Sequence, residues 1–485
     1  MTNHCDLVIF GATGDLALRK LLPALYRSYS EKSLSGDFKI HLTCRSNSQK
    51  DSYLTKLKDS LQEHLSENEF CSETWLQFKK RLFPIQLDIE NEKHDWQQLE
   101  QRLDNRRERI FYLSIAPSLY ALCCRQLARF KLINRHSRVV LEKPIGYNQT
   151  SAEEINSEVG KYFNEKQIFR IDHYLGKETV QNLMILRFSN LLFENMWDRK
   201  SIDHIQISIG ETVGLEGRAG FYNDAGAMRD MVQNHLLQLL CLIAMEPPNE
   251  FSGDNIRTEK IKVLKALRPV SVDSIRQETI RGQYVSGQLA DNLVPGYLEE
   301  LKKPQSFCET FVAIRTFVDN WRWSGVPFYL RTGKRLKQRC AEISVQFKPV
   351  SHQLFSSQAG ISQPNRLIIR LQPEERIQLS ITSKKLNKAE TQLKQELLDL
   401  NLNDNSTSLQ SDAYKRLLLD VIANDPSLFI HREEIDTAWR WVDPIIEGWR
   451  KDNYQPELYR AGSWGPESSD RLLANDGRYW HNPDE

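Results

Sequence analysis

Residues 1–175 are expected to form an α/β domain with a parallel sheet, and residues 176–485 a larger α+β domain with a mainly antiparallel sheet and helices. Three observations predict this division. Short apolar runs alternate with helical patterns through the first third of the chain, to about Asp172. A glycine turn joins the first apolar run directly to the first helical stretch. Further on, the apolar residues of several segments alternate with polar ones, the two-residue period of a strand.

In the first part, Leu7-Val8-Ile9-Phe10 reads as a strand, followed by the glycine turn and a helix that Pro23 is expected to kink. Ile40–Thr43, Leu82–Leu87, Arg109–Ser114 and Arg138–Leu141 are further strands, spaced by helices, so the sheet is parallel and covered on both faces. After Lys177, the residues Val180, Leu183, Met184, Arg187, Phe188, Leu191 and Leu192 fall mostly on one helical face. Ile205, Ile207 and Ile209 alternate with polar residues in His204–Ile209, which reads as a half-buried strand, and Glu342–Phe347 alternates similarly. Leu367–Leu371 and Ile377–Thr382 flank Gln372-Pro373-Glu374-Glu375-Arg376, the signature of a hairpin. Asp412–Ala423 and Glu433–Trp441 read as helices, and the polar Asn401–Ser411 as a surface loop.

Composition excludes several classes. The chain has 485 residues, with 65 Lys+Arg against 64 Asp+Glu, a formal net charge of +1. A protein built to grip nucleic acid carries a basic face and a high isoelectric point, so no nucleic-acid partner is expected. No stretch approaches the ~18 consecutive apolar residues of a membrane span. Leu236–Met245 comes nearest, but Gln238 interrupts it and Glu246-Pro247-Pro248 ends it. The N-terminus lacks a basic region ahead of an apolar one, so no signal peptide is read. The eight cysteines form no Cys-x-x-Cys pair and no metal-ligand spacing; scattered thiols fit a reducing cytoplasm, and no metal is expected.

The turn Gly11-Ala12-Thr13-Gly14-Asp15-Leu16-Ala17 suits a pyrophosphate. Its glycines allow close approach to backbone N–H groups, and the helix that follows offers its positive end, the Rossmann-like arrangement. The spacing Gly-x-x-Gly-x-x-Ala departs from Gly-x-Gly-x-x-Gly, and a glycine turn without a ligand is the plain alternative. Gly11, Thr13, Gly14, Asp15 and Leu16 are its candidate cofactor contacts. The second strand runs into Arg45-Ser46, where an NAD site places an acidic residue for the ribose hydroxyls. A guanidinium there suits a 2′-phosphate, so NADP is expected; a solvated surface arginine is the alternative. Asp88-Ile89, after the third strand, is placed at the adenine.

The densest polar cluster is Arg170-Ile171-Asp172-His173-Tyr174-Leu175-Gly176-Lys177-Glu178. A histidine, a tyrosine hydroxyl and a lysine just ahead of a helix suit a phosphate monoester, against the alternative of ordinary capping residues. Five glycines, at 210, 214, 217, 220 and 226, mark a loop shaped around a ligand. The loop leads into Met228-Arg229-Asp230-Met231-Val232-Gln233-Asn234-His235, where His235 stands on an otherwise apolar helix. A lone histidine there is more often a satisfied core residue than a catalyst, unless a buried carboxylate fixes its tautomer. Glu142-Lys143-Pro144-Ile145-Gly146 follows a strand, so Lys143 is expected at the sheet's C-terminal crevice. The basic run Leu330–Arg339 has a solvated turn as its plain reading.

These residues match a family. The chain resembles glucose-6-phosphate dehydrogenases of the bacterial type over essentially its whole length. Six motifs carry the resemblance, in the family's order: residues 11–17, 142–146, 170–178, 229–238, the Asn-Trp-Arg-Trp-Ser-Gly-Val-Pro-Phe of 320–328, and the Leu-Arg-Thr-Gly-Lys of 330–334. The nine-residue match at 170–178 is the most specific.

The resemblance implies roles. His235 is implied as the general base and Asp172 as the carboxylate that orients it. His173, Tyr174 and Lys177 are implied as the 6-phosphate clamp. Glu211, Asp230, Lys334, Lys143 and Arg339 are implied as sugar contacts, Lys143 also facing the cofactor, and Arg45 as the 2′-phosphate ligand. The implied reaction oxidises glucose 6-phosphate at C1 with hydride transfer to NADP, in a homodimer or homotetramer formed through the second domain's sheet. The alternatives are another NADP-linked dehydrogenase of a phosphorylated sugar and a non-catalytic dinucleotide sensor, which has no need of a phosphate clamp plus a base. Animal members carry a second, structural NADP site built partly from their C-terminal region. The stretch from Ala461-Gly462-Ser463-Trp464 onward resembles bacterial members, and that site is not carried over.

Overall fold

The structure is a computed structural model that describes residues 4–34, 36–45, 50–90, 95–355, 359–386, 391–401 and 413–483. Ser46, Asp412 and the expected loop beyond Asn401 lie outside the described residues. The chain divides into two compact units, Met1–Lys177 with Asn249–Arg257 and Leu409–Asp436, and Glu178–Pro248 with Thr258–Ser408 and Thr437–Glu485.

The first unit is built on a six-stranded, wholly parallel sheet: β1 (Cys5–Phe10), β2 (Phe38–Cys44), β3 (Leu82–Gln86), β4 (Glu108–Leu113), β5 (Arg138–Leu141) and β6 (Ile168–Arg170). Their order is β3-β2-β1-β4-β5-β6, so the winding reverses between β1 and β4. In such a sheet the crevice outside those strand ends binds the ligand. Pro84, which cannot donate to a ladder, sits in the edge strand β3. Pro23 follows a π-wound turn, Ala17–Leu21, and falls at the second residue of the helix Leu22–Ser30. The expected irregularity is thus a widened turn ahead of the proline. The helix Ala413–Ala423 packs back onto this unit: Arg138 Nη1 donates to Val421 O at 3.0 Å, and Lys415 pairs with Glu31. Beyond it, Ile430 N donates to Arg170 O at 3.1 Å, and Phe429 meets Phe169 edge to face at 4.8 Å.

The second unit carries nine strands in one sheet: β7 (Ile202–Gly210), β8 (Thr279–Val285), β11 (Phe311–Phe317), β12 (Pro327–Gly333), β13 (Cys340–Phe347), β14 (Arg366–Gln372), β15 (Arg376–Lys384), β16 (Leu393–Asn401) and β17 (Glu457–Arg460). A separate ribbon pairs β9 (Gly287–Leu289) with β10 (Asn292–Val294). The order is β16-β15-β14-β13-β7-β12-β11-β8-β17, antiparallel except for the pairs β7/β12 and β8/β17. The hairpin β14–β15 forms as expected, with Arg370 opposite Arg376.

Three expectations are corrected. β7 is buried on both faces, because the end of the chain covers its polar side: His481 N donates to Gln206 Oε1 at 2.8 Å and Gln206 Nε2 to Tyr479 O at 2.9 Å. Leu191 and Leu192 are 75% and 63% exposed, since the helix Glu178–Phe188 ends before them and a short separate turn carries them away from its buried face. The helix expected over Glu433–Trp441 runs from Arg432 to Lys451 and contains Pro444. Burial of Trp439, Val442, Ile445, Ile446 and Trp449 offsets the hydrogen bond the proline removes.

Candidate active site

The first unit presents its polar residues where parallel strands end. Gly11 leaves β1 with φ +76°, and a Cβ there would lie 2.2 Å from the carbonyl oxygen of Ser114, just past β4. Only glycine lets the chain turn this close to the neighbouring strand end. Gly14 N donates back to Gly11 O at 2.9 Å, and Ala12 N to Thr43 O at 3.1 Å, which ties the turn to the end of β2. Thr13, Gly14 and Asp15 are exposed, and Leu16 is half-buried. The first-turn amides of the helix have no intrahelical acceptor, so the turn fits an anionic pyrophosphate. Asp15 lies beside Arg19 at 3.4 Å, an exposed pair of little energetic weight. Arg45 follows β2 directly and is exposed. Asp88 is half-buried, its Oδ1 accepting from Glu90 N at 3.1 Å, and Ile89 is buried, so only Asp88 of that pair offers a polar contact.

The loop after β6 is tightly wound. Asp172, 1% exposed, accepts from Tyr174 N at 2.9 Å through Oδ1, a local Asx turn. Leu175 N donates to Asp172 O at 3.1 Å and Lys177 N to Tyr174 O at 3.2 Å. Lys177 is only 7% exposed, with its ammonium 4.8 Å from the Tyr174 ring centre. That ring favours the cation in a place where water is scarce. A Cβ on Gly176 would lie 2.6 Å from Ala413 O, so the loop seats against the late helix Ala413–Ala423. The same helix brings Tyr414 over His173, with ring centres 6.1 Å apart and planes 8° from parallel.

Lys143 is half-buried just past β5. Beside it the buried Glu142 accepts a hydrogen bond from the Tyr112 hydroxyl, and its backbone oxygen accepts from Tyr120 Oη at 2.9 Å. Burial pushes the Glu142 carboxyl up to about 7, against the opposing pull of the Tyr112 hydrogen bond and the Lys143 charge.

The second unit positions its residues differently. β7 and β12 run parallel with Gly210 opposite Gly333, so the next residue of each, Glu211 and Lys334, emerge side by side. Lys334 Nζ donates to Glu211 Oε2 at 2.8 Å, Glu211 N to Gly333 O at 2.9 Å, and the Lys334 ammonium stands 4.9 Å from the Tyr222 ring centre. The basic run Leu330–Arg339 is therefore no solvated turn throughout. Leu330–Gly333 completes β12, Arg331 and Lys334 are buried, and Lys337 and Arg339 are exposed. Arg339 precedes β13.

Asp230 and His235 lie on Met228–Leu236, a π-wound segment that continues as the buried helix Leu237–Ala244. In an α-helix of 3.6 residues per turn, residues five apart point about 140° away from each other. The wider winding turns them toward one side. His235 is 1% exposed, Asp230 half-buried, and His235 N donates to Asn234 Oδ1 at 2.6 Å. The break before this segment comes at Gly226.

Sequence reasoning gave no role to Tyr414 or Tyr112, and quoted Glu142 only as part of a motif. Nothing local to Tyr414 marks it, since its position over His173 is made by the return of residues 409–436 to the first unit.

A family model described as the NAD binding domain of glucose-6-phosphate dehydrogenase matches residues 8–182, and one described as the C-terminal domain of the same enzyme matches residues 184–481. The chain is 46% identical over 478 residues to a glucose-6-phosphate 1-dehydrogenase of Rhizobium meliloti, covering 98% of this chain and 97% of that one. It is 44% identical over 485 residues to the enzyme of that name from Mycolicibacterium smegmatis, covering 99% and 98%. Among solved structures, a glucose-6-phosphate dehydrogenase in complex with its substrate glucose-6-phosphate superposes with a TM-score of 0.89 at 32% identity, over 99% of both chains.

Proposed function

Because the chain belongs to the glucose-6-phosphate dehydrogenase family, we propose that it oxidises glucose 6-phosphate at C1 to 6-phosphoglucono-δ-lactone with NADP as the hydride acceptor. The observation that carries this reading is the family match across both domains, with the motif Arg170–Glu178 complete.

Bound, the nicotinamide supplies a two-electron acceptor. The chain's own residues do the rest. His235 takes the proton of the C1 hydroxyl in the step that breaks the C1–H bond, the general-base role that histidine fills most often. Asp172 orients the ring and offsets the charge that forms on it. Lys177, His173 and Tyr174 hold the 6-phosphate, whose binding energy positions a carbon remote from it. Glu211, Asp230, Lys334, Lys143 and Arg339 contact the sugar. Arg45 and Ser46 hold the 2′-phosphate, the turn Gly11–Leu16 the pyrophosphate, and Asp88 and Ile89 border the adenine. Lys143 also faces the cofactor.

The same reading places the enzyme in the cytoplasm, at the first step of the oxidative pentose phosphate pathway. Among the described residues no helix is long and apolar enough to cross a membrane. Among the described residues no cysteine is joined in a disulfide, and Cys5, Cys44, Cys123, Cys124, Cys241 and Cys340 are buried. A homodimer or homotetramer through the second unit's sheet is supported by the edge strand β16, on which Leu397, Leu398 and Leu400 are exposed.

Steady-state assays with glucose 6-phosphate and other phosphorylated sugars, each with NADP and NAD, test the proposal. The highest kcat/KM is expected for glucose 6-phosphate with NADP. A higher value for another sugar phosphate moves the substrate assignment, and binding of dinucleotide without turnover on any of them overturns it in favour of a sensor.

A further inference from the structure

A cavity of about 390 Å³ opens in the second unit between the helix Ala219–Ala227, the segment before β11 and the C-terminal half of the helix Arg432–Lys451. None of the roles above uses it. Its volume is that of a small-molecule site. Four cations line it, Arg229, Arg281, Lys303 and Arg450, against two carboxylates, Asp224 and Glu309.

The carboxylates do not balance the cations. Glu309 is already engaged, accepting from Arg281 Nη2 at 3.0 Å and from Met228 N at 3.2 Å. Asp224 is exposed. Arg281 is 7% exposed and fixed in place: Nη1 donates to Tyr454 O at 2.9 Å, Nη2 also donates to Phe307 O, and the guanidinium carbon stands 4.8 Å from the Trp449 ring centre. Its Nε–H nevertheless has no acceptor among the described residues. That atom is closed off from solvent, so what Arg281 offers the cavity it lines is a fixed positive charge. At the mouth, Lys303 and Arg450 are exposed, and neither forms an ion pair with a described residue. Trp449 and Phe307 supply apolar surface between the charges.

We propose that this cavity binds a small polyanion, an organic polycarboxylate or a phosphate compound, at a site separate from the residues assigned to catalysis. The fixed guanidinium of Arg281 supplies the inner positive charge, and Lys303 and Arg450 close on the ligand's outer charge. Charge-assisted contacts of this kind are the strong ones.

Calorimetric titration with citrate and with inorganic pyrophosphate, at ionic strength held constant with sodium chloride, tests this and separates the two chemistries. It is run on the full chain alone and on the chain saturated with NADPH and glucose 6-phosphate, a pair that cannot turn over. Saturable binding of at least one probe is expected in both states, at one per chain in the saturated protein, where the phosphate clamp and the pyrophosphate turn are already filled. The double variant Lys303→Ala/Arg450→Ala is expected to weaken it at least tenfold while leaving turnover of glucose 6-phosphate unchanged. These residues are at the surface, so the variant remains informative if Arg281→Met fails to fold. Absence of saturable binding in the unmodified protein, equal binding in the double variant, or loss of binding on saturation with NADPH and glucose 6-phosphate each overturns the proposal. The comparison of unmodified protein with the variant in the chain alone does not depend on the dehydrogenase reading, so the two fail separately.

Discussion

The first unit hangs its charged residues on loops that leave parallel strands, whereas the second emplaces them by strand register and by an altered helical winding. Arg45, Lys143 and Asp172 each stand within two residues of the end of β2, β5 or β6. Their positions follow from the chain immediately before them. Glu211 and Lys334 meet only because Gly210 and Gly333 are in register across β7 and β12. Asp230 and His235 share a side only because the segment between them is π-wound. Loop placement lets one residue change without moving another; register and winding make pairs that succeed or fail together.

The sharpest way to break this comparison is His235→Asn. General acid–base groups contribute roughly 10²–10⁴-fold, so kcat should fall by that factor with KM for glucose 6-phosphate nearly unchanged. Near-normal turnover in steady-state assays would remove the second unit's chemical role. Next in size is Lys177→Ala. A charge-assisted phosphate contact is worth about 1.5–3 kcal/mol, or roughly 10–150-fold in affinity. KM for glucose 6-phosphate should rise by that factor, and the use of unphosphorylated glucose should change far less. Equal losses on both sugars would make Lys177 a structural residue of its loop.

Arg45→Ala should have a smaller effect, because the side chain is exposed and solvent weakens its contacts. A loss of about tenfold in kcat/KM with NADP, and little change with NAD, is expected from one screened charge-assisted contact. Parallel losses with both cofactors would remove the support for NADP preference.

The last test reads stability. In the folded protein the Glu142 carboxyl is raised to about 7 from an ordinary 4.5. Between those values the folded state keeps a proton that the unfolded state releases, so this group's contribution falls as pH rises through the window. At about 1.4 kcal/mol per pKa unit the loss is up to about 3 kcal/mol. Thermal melts of the unmodified protein and Glu142→Gln from pH 4.5 to 7.5 should therefore diverge, the unmodified protein losing ground as pH rises. Parallel curves would mean that Glu142 ionises near its ordinary value.

The same contrast decides what the sequence made legible. Strands β1, β2, β4 and β5 were readable because a buried parallel strand is a short apolar run, and the residues just after each run are the ones that face the crevice. The loop Asp172–Lys177 was readable as a dense polar cluster after such a run. In the second unit the alternation of Ile205, Ile207 and Ile209 identified a strand but not its burial. His204, Gln206 and Ser208 are all buried, and Gln206 is held by His481 and Tyr479 near the end of the chain, which no local pattern foretells. Glu211 and Lys334 entered only through family resemblance, as separate sugar contacts, and their pairing was not read, since neither segment shows which strand lies beside it. Nor does composition announce π winding, because an inserted residue leaves the apolar content of a helix unchanged.

The return of residues 409–436 to the first unit has a consequence for how the protein is made. Synthesis is vectorial, and domains generally fold in the order in which they emerge. The strands of the first unit and the loop Asp172–Lys177 emerge early, but the backbone against which Gly176 seats and the ring that covers His173 come from Ala413 and Tyr414. Nearly the whole second sheet is translated in between. The loop Asp172–Lys177 must therefore wait, with one side bare, until the ribosome has passed residue 436 of 485. A premature stop near residue 410 would leave every residue of that loop in place and still remove its support, so damage late in the gene would surface as a defect at the front of the protein.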